Sequence, residues 1–404
     1  MKFSKLNMTE LVQKSKRIES IDILRGIIMI IMCLDHTRDY YHDLAAAGNP
    51  MNIDSTSPAL FFTRYITHFC APIFVLLSGT SIYLQSLRKT KSELSIFLLK
   101  RGIWLLFLEI VLNNFLWQFD VFFDIIVFQV IWAIGASMII MAAIIHLNKY
   151  AILTLGLTIV FGHNLLDSIT VNSNNSITFI WQLVHQTGST NFGEQGLLFI
   201  GYPMLPWLGI MVIGYALGEL YNKKVDKKQR VKVLLWTGVG SLLLFCLLRT
   251  FNLYGDPEFI FELQDSFFKN VVSFLRVSKY PPSLHYSLIT LGIAFLSLIV
   301  LEKMKPKVSH FFLVFGKVPL FFYFVHIAVI HLSSMFLKPF FGDVMYSSVG
   351  NNENSLNGKE IYLGVDLIYV YIAWVIIIGV LYIPCRKYMN YKGMNKDKKW
   401  LSYF

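Results

Sequence analysis

The stretch Arg17–His42 reads RIESIDILRGIIMIIMCLDHTRDYYH: a long apolar run, broken by Asp22 and Arg25 and closed by Asp35 and His36. In lipid an ionisable side chain costs roughly 2.5–3.5 kcal/mol on insertion scales, so those that persist usually face a cavity or a partner. Asp22 and Arg25 stand three residues apart, on one helix face, and are expected to pair. From Arg25 to His36 is eleven residues, about three turns and about 16 Å, and eleven steps of about 100° return near the starting angle. The spacing therefore predicts one helix face with Arg25 near one end, His36 near the other, and Met29 and Met32 between them.

The rest of the chain places that helix in a membrane. Of 404 residues, 55% are hydrophobic and only 15% charged, and mean hydropathy is +0.55. A soluble domain carries about 25% charge, so soluble, disordered and disulfide-framework classes are excluded. Apolar segments predict about ten spans: Ile21–His36, Phe61–Leu84, Ile96–Phe115, Ile125–His146, Ala151–Phe161, Leu198–Tyr221, Leu234–Leu248, Ser287–Leu301, Phe311–Phe336 and Leu363–Ile383. The expected fold is an all-α polytopic helical bundle. Residues 1–404 are read as one domain, with a polar segment at 1–20 and a basic tail at 386–404. No removable signal peptide is visible at the start.

The net charge of +11 is a topological feature on this reading. Lys2, Lys5, Lys14, Lys16 and Arg17 precede the first span, and alternate loops carry Arg88, Lys89 and Lys91, then Lys149, then the run from Lys223 to Lys232, then Lys303, Lys305 and Lys307. Cations concentrate on cytoplasmic loops. Both termini are therefore expected in the cytoplasm, and no nucleic-acid partner is needed. The opposite loops, about Thr37–Leu60, Asp167–Leu197, Thr250–Leu284 and Leu337–Tyr362, are long enough to be functional. The four cysteines show neither metal nor disulfide spacing. No internal repeat is found.

Ionisable residues cluster at the His36 level. Asp35, Arg38, Asp39 and His42 surround it in sequence, and a histidine beside carboxylates can be oriented and made more basic, as a general base requires. Arg64, His68 and Pro72 are each four apart in the second span and form a stripe whose charged end lies at the same level. Arg276, Lys279 and His285 break the positive-inside trend, which suits an anionic group. Lys317 opens the ninth span, with His326 and His331 further on. No HxxxH or HExxH pair is present, so no metal is expected.

Five segments together carry a family resemblance: residues 17–42, FFTRYITHFCAPIFVLLSGTSIYL at 61–84, YPMLPWLGIMVIGYALG at 202–218, KYPPSLHYSLITLG at 279–292 and VFGKVPLFFYFVHIAVIH at 314–331. They resemble bacterial membrane proteins grouped with the catalytic domain of heparan-α-glucosaminide N-acetyltransferase. The resemblance runs from about Arg17 to His331. The opening Leu24-Arg25-Gly26 followed by His36 is also similar to type-3 membrane acyltransferases. The resemblance implies an enzyme of the bacterial cytoplasmic membrane that transfers acetyl from cytoplasmic acetyl-CoA to a sugar or cell-envelope glycan on the other side. His36 then corresponds to the catalytic histidine and Arg25 to its structural or cofactor-side partner. The heparan enzyme places its own catalytic histidine in the loop after the first span, where this chain offers His42.

The expected mechanism follows. Acetyl-CoA docks near Arg25 and Lys317, and His36 acts as base or nucleophile. Asp35 or Asp39 holds the imidazole tautomer, and Arg38, Arg64 or Lys279 stabilises the oxyanion, with His68 and His326 on the substrate side. A homo-oligomer and contacts with membrane lipid are compatible with this reading. The rival is a carrier of a small molecule or lipid-linked sugar without covalent chemistry, which broken helices at Pro72 and Pro319 also suit.

Overall fold

Prolines and side-chain caps decide where the apolar segments bend. A computed structural model describes residues 18–42, 49–171, 176–193, 196–341 and 364–402. In chain order it contains α1 (Glu19–Tyr41), α2 (Pro58–Thr67), α3 (Cys70–Ser86), α4 (Lys91–Phe107), α5 (Asn114–Gln118), β1 (Ile125–Phe128), α6 (Val130–Ile144), α7 (Lys149–Gly162), α8 (Ser176–Val184), β2 (Gly188–Phe192), β3 (Gly196–Ile200), α9 (Met204–Gly218), α10 (Lys227–Thr250), α11 (Phe267–Leu275), α12 (Leu284–Leu301), α13 (Pro306–Gly316), α14 (Pro319–Phe341) and α15 (Leu367–Met394). A π-helical turn, Leu108–Asn113, joins α4 to α5, and a 3₁₀ turn, His163–Leu166, follows α7. Thr90 and Glu93 form a reciprocal capping box at the start of α4.

Among the described residues seven helices are long and apolar enough to cross a membrane: Pro58–Ser86, Lys149–Leu166, Met204–Tyr221, Lys227–Thr250, Leu284–Leu301, Pro319–Leu337 and Leu367–Met394. The protein is an integral membrane protein of mostly helical fold. The other three of the ten expected segments are helical over most of their length but do not meet the same criterion. α1 carries too many charges, the α4–α5 helix includes Lys100, Arg101 and Glu109, and α6 is short at 15 residues.

Several expected boundaries are corrected. The segment expected to run from Ile125 to His146 opens as a strand, because side chains of the preceding helix capture its backbone. Val127 N donates to Asn114 Oδ1 at 2.6 Å, Gln118 Nε2 donates to Ile125 O at 2.9 Å, and Gln129 N donates to Glu109 Oε1 at 2.6 Å. Leu198–Ile200 likewise belongs to β3, and the helix begins only after Pro203. These strands make a three-stranded sheet in the order β1-β3-β2, with β1 parallel and β2 antiparallel to β3. The all-α expectation is corrected to that extent.

The second segment breaks at His68–Phe69. Pro72 has no N–H to donate to the carbonyl four residues back, and Tyr286 Oη bonds that freed His68 carbonyl at 2.7 Å instead. The ninth breaks at Lys317–Val318, where Pro319 disfavours helical geometry in the residue before it. The last helix runs to Met394 through Pro384, so Arg386, Lys387 and Lys392 ride on α15 rather than on a separate tail. The residues at 1–17 and most of the Leu337–Tyr362 loop lie outside the described residues.

α1 lies at the centre, packed by α2, α3, α12, α13, α14 and α15. Two glycine pairs set the closest crossings. A Cβ on Gly26 would stand 2.0 Å from Phe312 O, and one on Gly316 would stand 1.8 Å from Asp22 O. Between α3 and α9, a Cβ on Gly79 would meet Met211 O at 2.0 Å and one on Gly214 would meet Leu76 O at 2.0 Å. Small residues let backbones approach where lipid supplies no hydrophobic drive. Thr80 Oγ1 reinforces the second crossing with a 2.9 Å bond to Gly214 O. Cys33, Cys70 and Cys385 are buried and free, whereas Cys246 is free and exposed.

Candidate active site

The last two turns of α1 carry a buried charge cluster. Asp35 accepts from Arg64 Nη1 at 2.9 and 3.0 Å, from Thr67 Oγ1 at 2.9 Å, and pairs with Arg38 Nη2 at 2.9 Å. Arg38 Nη2 also holds Asp39 Oδ1 at 2.7 Å. The break after α2 lets Arg64 reach α1 from the neighbouring element. Lys279, buried in the loop before α12, stacks over the Tyr280 ring at 5.0 Å and lines the same space. Three cations against two carboxylates leave one net positive charge, which favours an anionic group or a developing oxyanion.

His36 sits beside this cluster and is bonded elsewhere. Its Nδ1 lies 2.7 Å from His326 Nε2, and the two rings are nearly parallel at 18°. His326 is fully buried, and its Nδ1 lies 2.9 Å from Phe322 O. A carbonyl oxygen only accepts, so His326 Nδ1 carries the hydrogen and its Nε2 is the acceptor. That network assigns the hydrogen on His36 to Nδ1. The lone pair of the His36 ring then lies on Nε2. The expectation that Asp35 or Asp39 holds the tautomer is therefore corrected: both carboxylates are occupied by arginine, and the orienting group is a histidine 290 residues away.

His36 lines a cavity of about 370 Å³ together with Asp35, Arg38, Asp39, Arg64 and Lys279. Trp117 meets His36 edge-on at 4.9 Å between centroids. Val127, Gln129, Phe199 and Gly201 bring the small sheet to its wall, and Thr187 and Tyr280 bring the two long loops. A second cavity, of about 110 Å³, is lined by Arg25, Met29, Ser78, Arg101 and Pro319. The two share Phe74, Val130 and Tyr323 as lining residues. Arg25 itself bonds Asp22 at 2.9 Å, as its spacing predicts, and Ser81 Oγ at 3.0 Å and Gly316 O at 3.4 Å. The next residue, Lys317, lines an open cleft of about 1170 Å³ with Lys89, Lys392, Lys396 and Lys398.

Several of the sequence-derived candidates do not line the cavity. His68 turns back, its Nδ1 2.8 Å from Arg64 O, and does not line the cavity. His42 forms the C-cap of α1 and pairs with Val365 through the backbone. His326 bonds His36 and does not itself line the cavity. His331 bonds Leu116 O at 2.8 Å and stacks on Phe119. Arg276 lies over Phe259, so of the cations before α12 it is Lys279 that reaches the cavity. Trp117, Tyr202, Thr187 and Tyr323 were not singled out from sequence, since aromatics are common in every span and their spacing carries no chemical signature.

The Lys279 loop is held from below by Asp256, which lies outside the spans. Asp256 Oδ2 accepts from Ser278 N and Ser283 Oγ, both at 2.9 Å. Burial pushes its carboxyl up to about 6, against those hydrogen bonds, which favour the charged form.

A half-buried histidine bonded to a fully buried one, a cationic cavity and a lysine-lined cleft make up the candidate site of this membrane protein. A family model described as heparan-alpha-glucosaminide N-acetyltransferase, catalytic, matches residues 17–249, and the chain belongs to that family. The family is one of transmembrane acetyltransferases. The match ends before Lys279 and His326, so it is shorter than the resemblance read from sequence, which ran to His331. No curated protein matches the chain.

Proposed function

We propose that the protein transfers the acetyl group of cytoplasmic acetyl-CoA to a sugar hydroxyl or amine of a cell-envelope glycan on the opposite side of the bacterial cytoplasmic membrane. The observation that carries this reading is the His36–His326 pair, which leaves His36 Nε2 as an unprotonated group in a cationic cavity. The positive-inside reading puts the Lys317 cleft and both termini in the cytoplasm. Lys89, Lys317 and Lys392 would then bind the phosphates of CoA. The pantetheine arm would pass Arg25 and Met29 and then Phe74, Val130 and Tyr323, which line both cavities, bringing the thioester to His36.

In the direct route His36 Nε2 takes the proton of the acceptor hydroxyl or amine, whose oxygen or nitrogen attacks the thioester carbonyl. The oxyanion forms beside Lys279 and Arg64, the C–S bond breaks, and CoA leaves as thiolate, to be protonated by the imidazolium. In the two-step route His36 Nε2 attacks the thioester carbonyl first, the C–S bond breaks and CoA leaves as thiolate. The acceptor then attacks the acetyl-imidazole, the C–N bond breaks, and the acceptor proton passes by way of the released Nε2 to the thiolate. In both, His326 Nε2 accepts from the His36 Nδ1–H that becomes more acidic as the ring gains charge.

The broken helices at His68–Phe69 and Lys317–Val318 also suit a carrier. Release of free CoA thiol from acetyl-CoA by purified protein, with and without an envelope-glycan fraction, separates the two. The transferase reading predicts acceptor-dependent thiol release that disappears in His36→Ala while His42→Ala stays active. Movement of a sugar across vesicles with no thiol release would replace it with the carrier.

A further inference from the structure

A second histidine cluster lies outside the cavity just described. α7 ends at Gly162, and the 3₁₀ turn that follows sets His163 and Asp167 four residues apart at the end of the span. His185, the first residue after α8, packs against them. Its Nε2 is 3.0 Å from Asp167 Oδ1, and the His163 and His185 ring centroids are 5.8 Å apart. One ligand atom from each of the three residues can be chosen so that all lie within 4.8 Å of one another.

The second observation is the state of the donors. His163 and His185 are each 2% exposed. Neither ring nitrogen of His163, nor Nδ1 of His185, has a hydrogen-bond partner among the described residues. An imidazole buried with both nitrogens unmet is unfavourable unless something occupies the space between it and its neighbours. A supporting shell is also in place. Asn164 Nδ2 donates to the other Asp167 oxygen at 2.7 Å, while Asn164 Oδ1 accepts from Leu284 N at 2.9 Å at the start of α12. Metal-binding carboxylates are characteristically fixed by such outer hydrogen bonds.

We propose that His163, Asp167 and His185 form a binding site for a divalent ion of the zinc class, which clamps His185 and the adjoining Thr187 to the end of α7 and to the start of α12. Two imidazoles and one carboxylate are a zinc-type donor set, with one coordination position left over. A cleft of about 170 Å³ lined by Asp167, His185, Glu258 and Ser278 leaves room there for water or a further oxygen ligand. Ligand bonds of about 2.0–2.2 Å place tetrahedral donors roughly 3.3 Å apart, so the set closes by about 1.5 Å, mainly through rotation of His163. The clamp reaches the candidate active site by two short steps. Thr187, two residues beyond His185, lines both this cleft and the His36 cavity, and its Oγ1 bonds Tyr280 O at 3.3 Å. The signal in sequence was an HxxxD pair with its third member 18 residues on, which a search for paired histidines passes over.

The test uses full-length protein purified in detergent from zinc-supplemented cells, desalted, and assayed for metal by plasma mass spectrometry. Stripped protein is then titrated with Co²⁺, whose visible d–d bands report coordination by nitrogen and oxygen. About one zinc per chain and tetrahedral-type cobalt bands are expected for wild type and for His146→Ala, a histidine paired with Ser95 elsewhere. Less than about a tenth of that is expected for His163→Gln and for the near-isosteric Asp167→Asn. Zinc should raise the melting temperature of stripped wild type and leave Asp167→Asn unmoved. Sub-stoichiometric zinc in wild type, or undiminished zinc in folded Asp167→Asn, overturns the proposal.

Discussion

Replacing His326 with Leu tests the histidine pair without touching the cavity wall. His326 accepts the His36 Nδ1–H at 2.7 Å, and in the transition state that ring carries positive charge. Hydrogen bonds to charged groups contribute roughly 1.5–3 kcal/mol. Since about 1.36 kcal/mol corresponds to a factor of ten in rate, the loss of this bond should lower kcat roughly 10- to 150-fold. The donor site is not altered, so KM for acetyl-CoA should stay within about threefold. Gln at the same position offers a carbonyl oxygen to His36 and should recover part of the rate, which a purely packing role would not predict. The assay is initial thiol release at saturating donor and acceptor, with a melting curve to confirm folding. A folded His326→Leu protein turning over at the wild-type rate would refute the assignment of His326 as the group that orients His36.

Three further outcomes follow from packing and charge. Gly316→Ala places a Cβ 1.8 Å from a backbone oxygen of α1, and overpacking of this kind costs about 1–3 kcal/mol. Its melting temperature should fall by about 1–4 °C, whereas Gly240→Ala, which meets no atom within 4 Å, should melt like wild type. Arg64→Met removes one partner of buried Asp35. The loss should sit near the low end of roughly 3–5 kcal/mol, because Arg38 and Thr67 remain, and adding Asp35→Asn should restore part of the unfolding midpoint. For Asp256, a folded value near 6 lies above the unfolded value near 4. The fold therefore favours the protonated form, and that contribution is complete below about pH 4 and lost as pH rises through 6. Asp256→Asn should remove the decline in melting temperature between pH 4 and 7 relative to wild type, and an unchanged pH profile would contradict the burial argument.

Local spacing carried some of this structure. The Asp22–Arg25 pair and the shared face of Arg25, Met29, Met32 and His36 follow from helical periodicity within one segment. The breaks at His68 and Lys317 were legible from Pro72 and Pro319, although hydropathy, which does not register a lost hydrogen bond, runs through both segments. The strand at Ile125–Phe128 was hidden for a different reason: its backbone is claimed by Asn114 and Gln118, contacts that no apolar pattern encodes. His36 was legible as a candidate, but its partner was not. Carboxylates adjacent in sequence looked like its natural support, and only the packing of α14 against α1 shows that arginines consume them and that His326 takes their place.

The central claim is that an acetyl thioester supplied from the Lys317 side reaches His36 Nε2. An electron cryomicroscopy structure of the full chain with a non-hydrolysable acetyl-CoA analogue tests it directly. The account predicts phosphates among Lys89, Lys317 and Lys392, the arm passing Met29 and Phe74, and the acyl carbon about 3–3.5 Å from His36 Nε2. An analogue bound with its acyl group remote from His36, or a His36 ring closed off from any path to the Lys317 cleft, would contradict it.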